Sequence, residues 1–168
     1  VESIEEAVTG VFSMMLDMAV ERGEDYVETT VPGSEEGVVS LIGLAGSWAG
    51  TGSIACSPAF ACKISSQMLM ADYEAVNDEV LDAIAEVTNM VMGNVKTRLE
   101  EILGPMGLSI PTVVYGRNFT TRTGRTEEWT VVPFHWAGLR MDVRLCLSPD
   151  RERPVKRCSL TAPEVANT

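Results

Sequence analysis

The chain has 168 residues, 45% of them hydrophobic and 22% charged, which suits one globular domain able to bury its own core. A formal net charge of −11 excludes a phosphate-backbone binder, which needs a basic face, so no nucleic-acid partner is expected. No apolar run reaches the length of a membrane span and no signal peptide opens the chain, so a cytoplasmic protein without membrane contact is expected; the first residue is Val rather than Met, as in a trimmed chain.

Residues 2–21 read as a helix, with Ile4, Val8, Val11, Phe12, Met15 and Met18 at helical spacing and Gly23 as its stop. Three strand-like runs follow, at 25–32, 36–45 and 47–56, rich in β-branched and aromatic residues and punctuated by glycine. Ser57-Pro58 is a helix start, an N-cap followed by proline in the first turn, and a short helix should reach Met70. Asn77 can cap a second helix whose first residues, Asp78 and Glu79, suit its positive end. That helix should run to Leu103, where Gly104-Pro105 stops it. Three further strand-like runs cover 111–121, 128–136 and 139–147, and an irregular tail is expected over 149–168. The order is helix, three strands, short helix, long helix, three strands. It predicts an α+β domain over 1–148, built of two pseudo-repeated halves with antiparallel strands and the long helices packed on the sheet. Residues 3–10 can be laid on 82–89, sharing Val-Thr, with Ala7 and Gly10 falling on Glu86 and Asn89.

The cysteines at 56, 62, 146 and 158 have no zinc-site spacing and read as free thiols. The single histidine, His135, lies in the apolar run 131–136, where packing is a simpler role than catalysis. No histidine-based triad or metal centre is expected.

The helix from Asn77 carries two stripes. Leu81, Ile84, Thr88, Val91, Val95, Leu99 and Ile102 step by three or four and form an apolar stripe. Asp82, Glu86, Asn89, Gly93 and Lys96 step likewise, and Glu86 lies roughly 200° around the helix from Ile84. A polar stripe is ordinarily a solvated face. Asn and Gly are poorer helix formers than Glu, Lys or Gln, however, and an interior Gly costs about 1 kcal/mol relative to Ala. A face that another molecule must approach closely has a use for both.

Glu-x-x-Asn occurs three times in the chain, ending at Asn77, Asn89 and Asn167. Only the middle copy has an acidic residue four positions earlier and Pro in register afterwards, as Asp82, Glu86, Asn89 and Pro111, with Gly93-Asn94 between. This segment resembles the active helix of the CheC/CheX/FliY phosphatases, which act on CheY-type response regulators. One full copy of the motif places the chain nearest to CheX. The resemblance implies a homodimer that dephosphorylates the aspartyl phosphate of a CheY-like receiver. Glu86 and Asn89 would be catalytic, with Asp82, Gly93 and Lys96 at the partner contact. It implies no cofactor of the chain's own, because the receiver supplies Mg2+. An amide such as Asn89 can accept a hydrogen bond from water and donate one to a phosphoryl oxygen. Glu86, one turn earlier, suits pairing with a receiver lysine better than general base work, since an exposed Glu has a pKa near 4.3. Pro111 suits a structural role before the next strand. Two other readings remain open: a non-enzymatic receiver-binding adaptor of the same fold, and a small-molecule site suggested by Trp48, Trp129, Trp136 and nine methionines, which core packing also explains.

Overall fold

The computed structural model describes residues 1–29, 33–120 and 128–149. The first helix, α1 (Glu2–Met15), is shorter than its apolar spacing predicts. Asp17 takes a left-handed conformation, φ 50°, which Asp tolerates better than most residues, and the Met18 N–H closes on the Phe12 carbonyl at 3.0 Å. The chain turns there so that Leu16 and Met18 enter the core. The predicted stop at Gly23 therefore falls about two turns late. A two-residue strand, β1 (Glu21–Arg22), precedes the run expected at 25–32, of which Tyr26–Glu28 forms the strand β2; residues 30–32 of that run lie outside the described residues. The strands β3 (Gly33–Gly46) and β4 (Trp48–Cys56), over the expected runs 36–45 and 47–56, pair as an antiparallel hairpin.

Helix α2 (Pro58–Leu69) begins as its sequence predicts, with the Ser57 hydroxyl accepting from the Phe60 N–H at 3.3 Å. Helix α3 (Asp78–Leu103) is capped by Asn77, whose side-chain oxygen accepts from the Val80 N–H at 3.0 Å. Gly104, at φ 84°, ends it in a backbone conformation that favours glycine. The strand β5 (Met106–Leu108) is absent from the sequence-based expectation, because three residues are too few to show a period. Then come β6 (Thr112–Thr120), β7 (Trp129–Trp136) and β8 (Leu139–Pro149). Pro149, expected to open the tail, still pairs with Trp48; the remainder of that tail, with Cys158, lies outside the described residues.

All the strand pairings are antiparallel, in the order β1–β7–β8–β4–β3–β5, with β2 beside β1 on β7 and β6 beside β5 on β3. The halves exchange their outer strands. β2 of the first half adds to β7 of the second, and β6 of the second adds to β3 of the first. β4 and β8, the last strand of each half, pair at the centre. An exchange of this kind is what an approximate twofold between two like halves produces.

The helices cover one face. Val38, Ile42, Ile54, Val132, Phe134, Met141 and Val143 meet the apolar sides of α1 and α3 in one core. At Gly52 a Cβ would lie 2.6 Å from the Met92 sulfur, so the glycine lets α3 sit close on the sheet. Trp136 stacks on Phe60 of α2 at a centroid distance of 6.2 Å. On the opposite face Trp129, Val131 and Cys146 form a second, small cluster. Packing thus accounts for much of the aromatic and methionine content, with Met18, Met92, Met106 and Met141 buried. His135 is a correction: strand alternation buries Phe134 and turns His135 outward to solvent, so it is not a packing residue.

Candidate functional site

Eight residues of α3 are buried: Val80, Ala83, Ile84, Val87, Thr88, Val91, Met92 and Val95. They recur at three or four and hold one side of the helix to the sheet and to α1. Thr88 is tolerated in that stripe because its hydroxyl donates to the Ile84 carbonyl at 2.8 Å. The predicted apolar stripe overreaches at its end. Ile102 is 81% exposed, because the helix outruns the part of the core that could cover its last turn.

With that side anchored, Asp82, Glu86 and Asn89 are exposed together on the other. None of the three has a hydrogen-bond or ion-pair partner among the described residues. Gly93 continues the row, and a Cβ built on it would meet nothing within 4 Å. The missing side chain therefore serves no internal packing; it leaves the surface open. Lys96 is engaged differently, its ammonium 2.8 Å from Glu100 Oε1 in an i, i+4 pair. That ion pair, with a hydrogen bond from the Met106 N–H at 2.9 Å, holds the Glu100 carboxyl below the usual carboxylate range. Pro111 immediately precedes β6 and is half-buried, as a structural role requires.

Helix α1 occupies the corresponding place in the first half, and its burial corrects the alignment drawn from sequence. Ala7, laid on Glu86 by the shared Val-Thr, is only 2% exposed. A shift of one residue matches the exposed and buried positions of the two helices, placing Glu6 at Glu86 and Thr9 at Asn89. Neither group is free as its counterpart is. Glu6 is ion-paired with Arg98 of α3, and the Thr9 hydroxyl donates to its own helix at the Glu5 carbonyl, 2.8 Å away. Glu6 is thus spent on tying α1 to α3, and Thr9 on its own helix.

Residues beyond the motif adjoin the exposed face of α3. An open groove of about 390 Å³ runs from Asp82 and Glu86 to Met68, Leu69 and Tyr73 at the end of α2. The Tyr73 hydroxyl donates to Glu79 Oε2 at 2.6 Å, which also raises the pKa of the phenol. The sequence carried a signal for this region, since residues 64–95 contain no Lys, Arg or His. Among the described residues no group of three or more His, Cys, Asp or Glu is arranged to hold a metal ion. No described helix is long and apolar enough to cross a membrane.

The family model for the chemotaxis phosphatase CheX matches residues 38–135, more than half of the chain. Among solved structures, the chain is similar to the chemotaxis protein CheX from Vibrio vulnificus, at 25% identity and a TM-score of 0.77 over 88% of this chain and 98% of that one. It is also similar to a chain of the CheX–CheY–BeF3–Mg2+ complex from Borrelia burgdorferi, at 25% identity and a TM-score of 0.74 over 87% and 96% of the two chains. A chemotaxis protein CheX from Desulfovibrio desulfuricans shares the fold at 24% identity, with a TM-score of 0.78 over 88% and 97%. A search among curated proteins finds no match.

Proposed function

The chain belongs to the CheX family of chemotaxis phosphatases, and from that premise we propose that it hydrolyses the phospho-aspartate of a CheY-type receiver through Asn89 and Glu86. The observation that carries this reading is the exposed, partner-free pair on α3 with open space over Gly93. A face whose polar groups are unspent and whose bulk is withheld is ready to enter another protein's site.

An aspartyl phosphate is a reactive acyl phosphate. Phosphoryl transfer depends chiefly on positioning and on charge stabilisation. The Asn89 amide oxygen accepts a hydrogen bond from the attacking water, and its N–H donates to a phosphoryl oxygen. The water oxygen bonds to phosphorus as the bond to the aspartyl oxygen breaks; the carboxylate leaves with the electron pair, a water proton passes to a phosphoryl oxygen, and inorganic phosphate is released. Asn89 takes no proton, so it needs no shifted pKa. Glu86 docks the helix by pairing with a receiver lysine, and Asp82 extends that contact. Lys96 stands at the edge of the partner surface, where docking would draw on its ion pair with Glu100. Mg2+ comes with the receiver in this reading; the Borrelia burgdorferi complex, which contains CheY and Mg2+, supports that assignment.

The protein is proposed to act in the cytoplasm as a homodimer, with one active helix per subunit. Among the described residues β6 pairs only with β3, and β1 and β2 only with β7, so both sheet edges offer backbone groups to a second copy. Light scattering at micromolar concentration should give twice the mass of one chain; the mass of one chain would refute the dimer. The reaction is tested by loss of label from phosphorylated receivers with and without the protein. Glu86→Lys should raise KM, since like charges would then meet. Binding without faster loss of label would favour an adaptor.

A further inference from the structure

The end of α2 carries a feature that the fold does not explain. Met70 is 93% exposed and Leu69 43%, side by side at the last turn. Met70 also adopts a left-handed conformation, φ 52° and ψ 40°, at the position where glycine is usual and bulky residues are uncommon. Its side chain does not hold the turn together. Ser66 does that, its carbonyl accepting from the Ala71 N–H at 3.3 Å and its hydroxyl from the Tyr73 N–H at 3.1 Å. A large apolar side chain is thus kept, on an unfavourable backbone, where it contacts mostly water.

Its neighbours give the chemistry of what would cover it. Leu69 lines the groove that reaches Asp82 and Glu86, and Met70, the next residue, stands at its edge beside Gln67 and Asp72. Residues 64–95 hold six carboxylates, Asp72, Glu74, Asp78, Glu79, Asp82 and Glu86, and no basic residue. An apolar anchor beside Glu79, Asp82 and Glu86, which line the groove with Leu69, fits a protein surface with an apolar side chain flanked by ammonium or guanidinium groups. The long stems of lysine and arginine can lie on the methionine while their heads meet the carboxylates.

We propose that Leu69 and Met70, backed by Tyr73, form the apolar half of the receiver-docking surface and select a receiver whose face presents an apolar residue among lysines or arginines. This rests on the receiver reading above, with a division of labour: α2 determines which receiver binds, and Asn89 determines how fast the phosphate leaves.

The test compares the unaltered protein with Met70→Gly and with the double variant Leu69→Ser/Met70→Gly. Glycine relieves the left-handed backbone, so Met70→Gly should not melt at a lower temperature, and a melt of the double variant reads what Leu69→Ser costs the fold. Steady-state phosphate release should show KM raised about tenfold in the double variant with kcat within twofold, as expected for uniform binding lost. KM should also rise with salt. Ile102→Ser, at another exposed apolar residue, at the far end of α3, should change neither parameter. A KM within twofold of the parent overturns the proposal. If the unaltered protein releases phosphate from no receiver, the catalytic reading fails by itself. Calorimetry with a CheY-type receiver loaded with BeF3 and Mg2+ then decides the docking question. Weaker binding by the double variant supports it, and equal binding, or none by either protein, overturns it.

Discussion

Asn89→Ala separates folding from chemistry because the two effects have opposite signs. The Asn89 side chain is exposed and has no partner among the described residues, so its removal leaves no buried group unsatisfied. Alanine is the better helix former by about 0.5 kcal/mol, and the melting temperature of a domain of this size should rise by roughly 1–2 °C. Docking should hold, since Glu86 and the groove are untouched. The rate should fall by about 10²-fold, the scale of losing a positioning contact, which equals about 2.7 kcal/mol of transition-state stabilisation. The assay is release of inorganic phosphate from a phosphorylated receiver at saturating and subsaturating concentrations, beside a thermal melt of the same sample. A lower kcat at unchanged KM is the expected pattern. Full activity in Asn89→Ala, on a receiver that the unaltered protein dephosphorylates, would refute the assignment. So would a loss matched by a fall in melting temperature, which would mean a structural residue.

At Gly93, leucine should stabilise the helix by about 1 kcal/mol, as nothing lies within 4 Å of the added Cβ, and yet raise KM by filling the space the receiver enters; urea titration and phosphate release read the two effects, and an unchanged KM would count against the contact. Asn77→Ala removes the cap from the Val80 N–H and should cost about 1 kcal/mol by chemical denaturation while leaving kcat and KM alone. Burial pushes the Cys56 thiol from 9.0 up to about 12, so iodoacetamide should label it at pH 8 only after unfolding. The folded pKa is raised, so the neutral thiol contributes stability that is complete below pH 9 and lost as pH rises from there towards 12; the urea midpoint should be level at pH 7–8 and fall above pH 9.

The parts legible in the sequence were those governed by local chemistry. Asn77 and Ser57 are short polar side chains placed to cap, and Gly104 is the residue that tolerates a positive φ; such groups act on their own backbone, whatever the rest of the chain does. The 3.6-residue period of α3 likewise determined, through residue spacing alone, that Asp82, Glu86 and Asn89 would share a face away from Ile84 and Val91. Decisions made between distant segments were not legible there. Helix α1 stops at Met15 although its apolar spacing continues, because Leu16 and Met18 gain more by turning into the core. The match of α1 to α3 by Val-Thr is off by one and burial supplies the register, in which Ile4, Glu6 and Val11 also fall on Ile84, Glu86 and Val91. Lys96 pairs within its own helix, and the exposed Leu69 shares a groove with Glu86 only because α2 and α3 fold side by side. A sequence records what each residue can do to its immediate neighbours; which surfaces meet depends on contacts between residues far apart in the chain, and only the tertiary structure decided those.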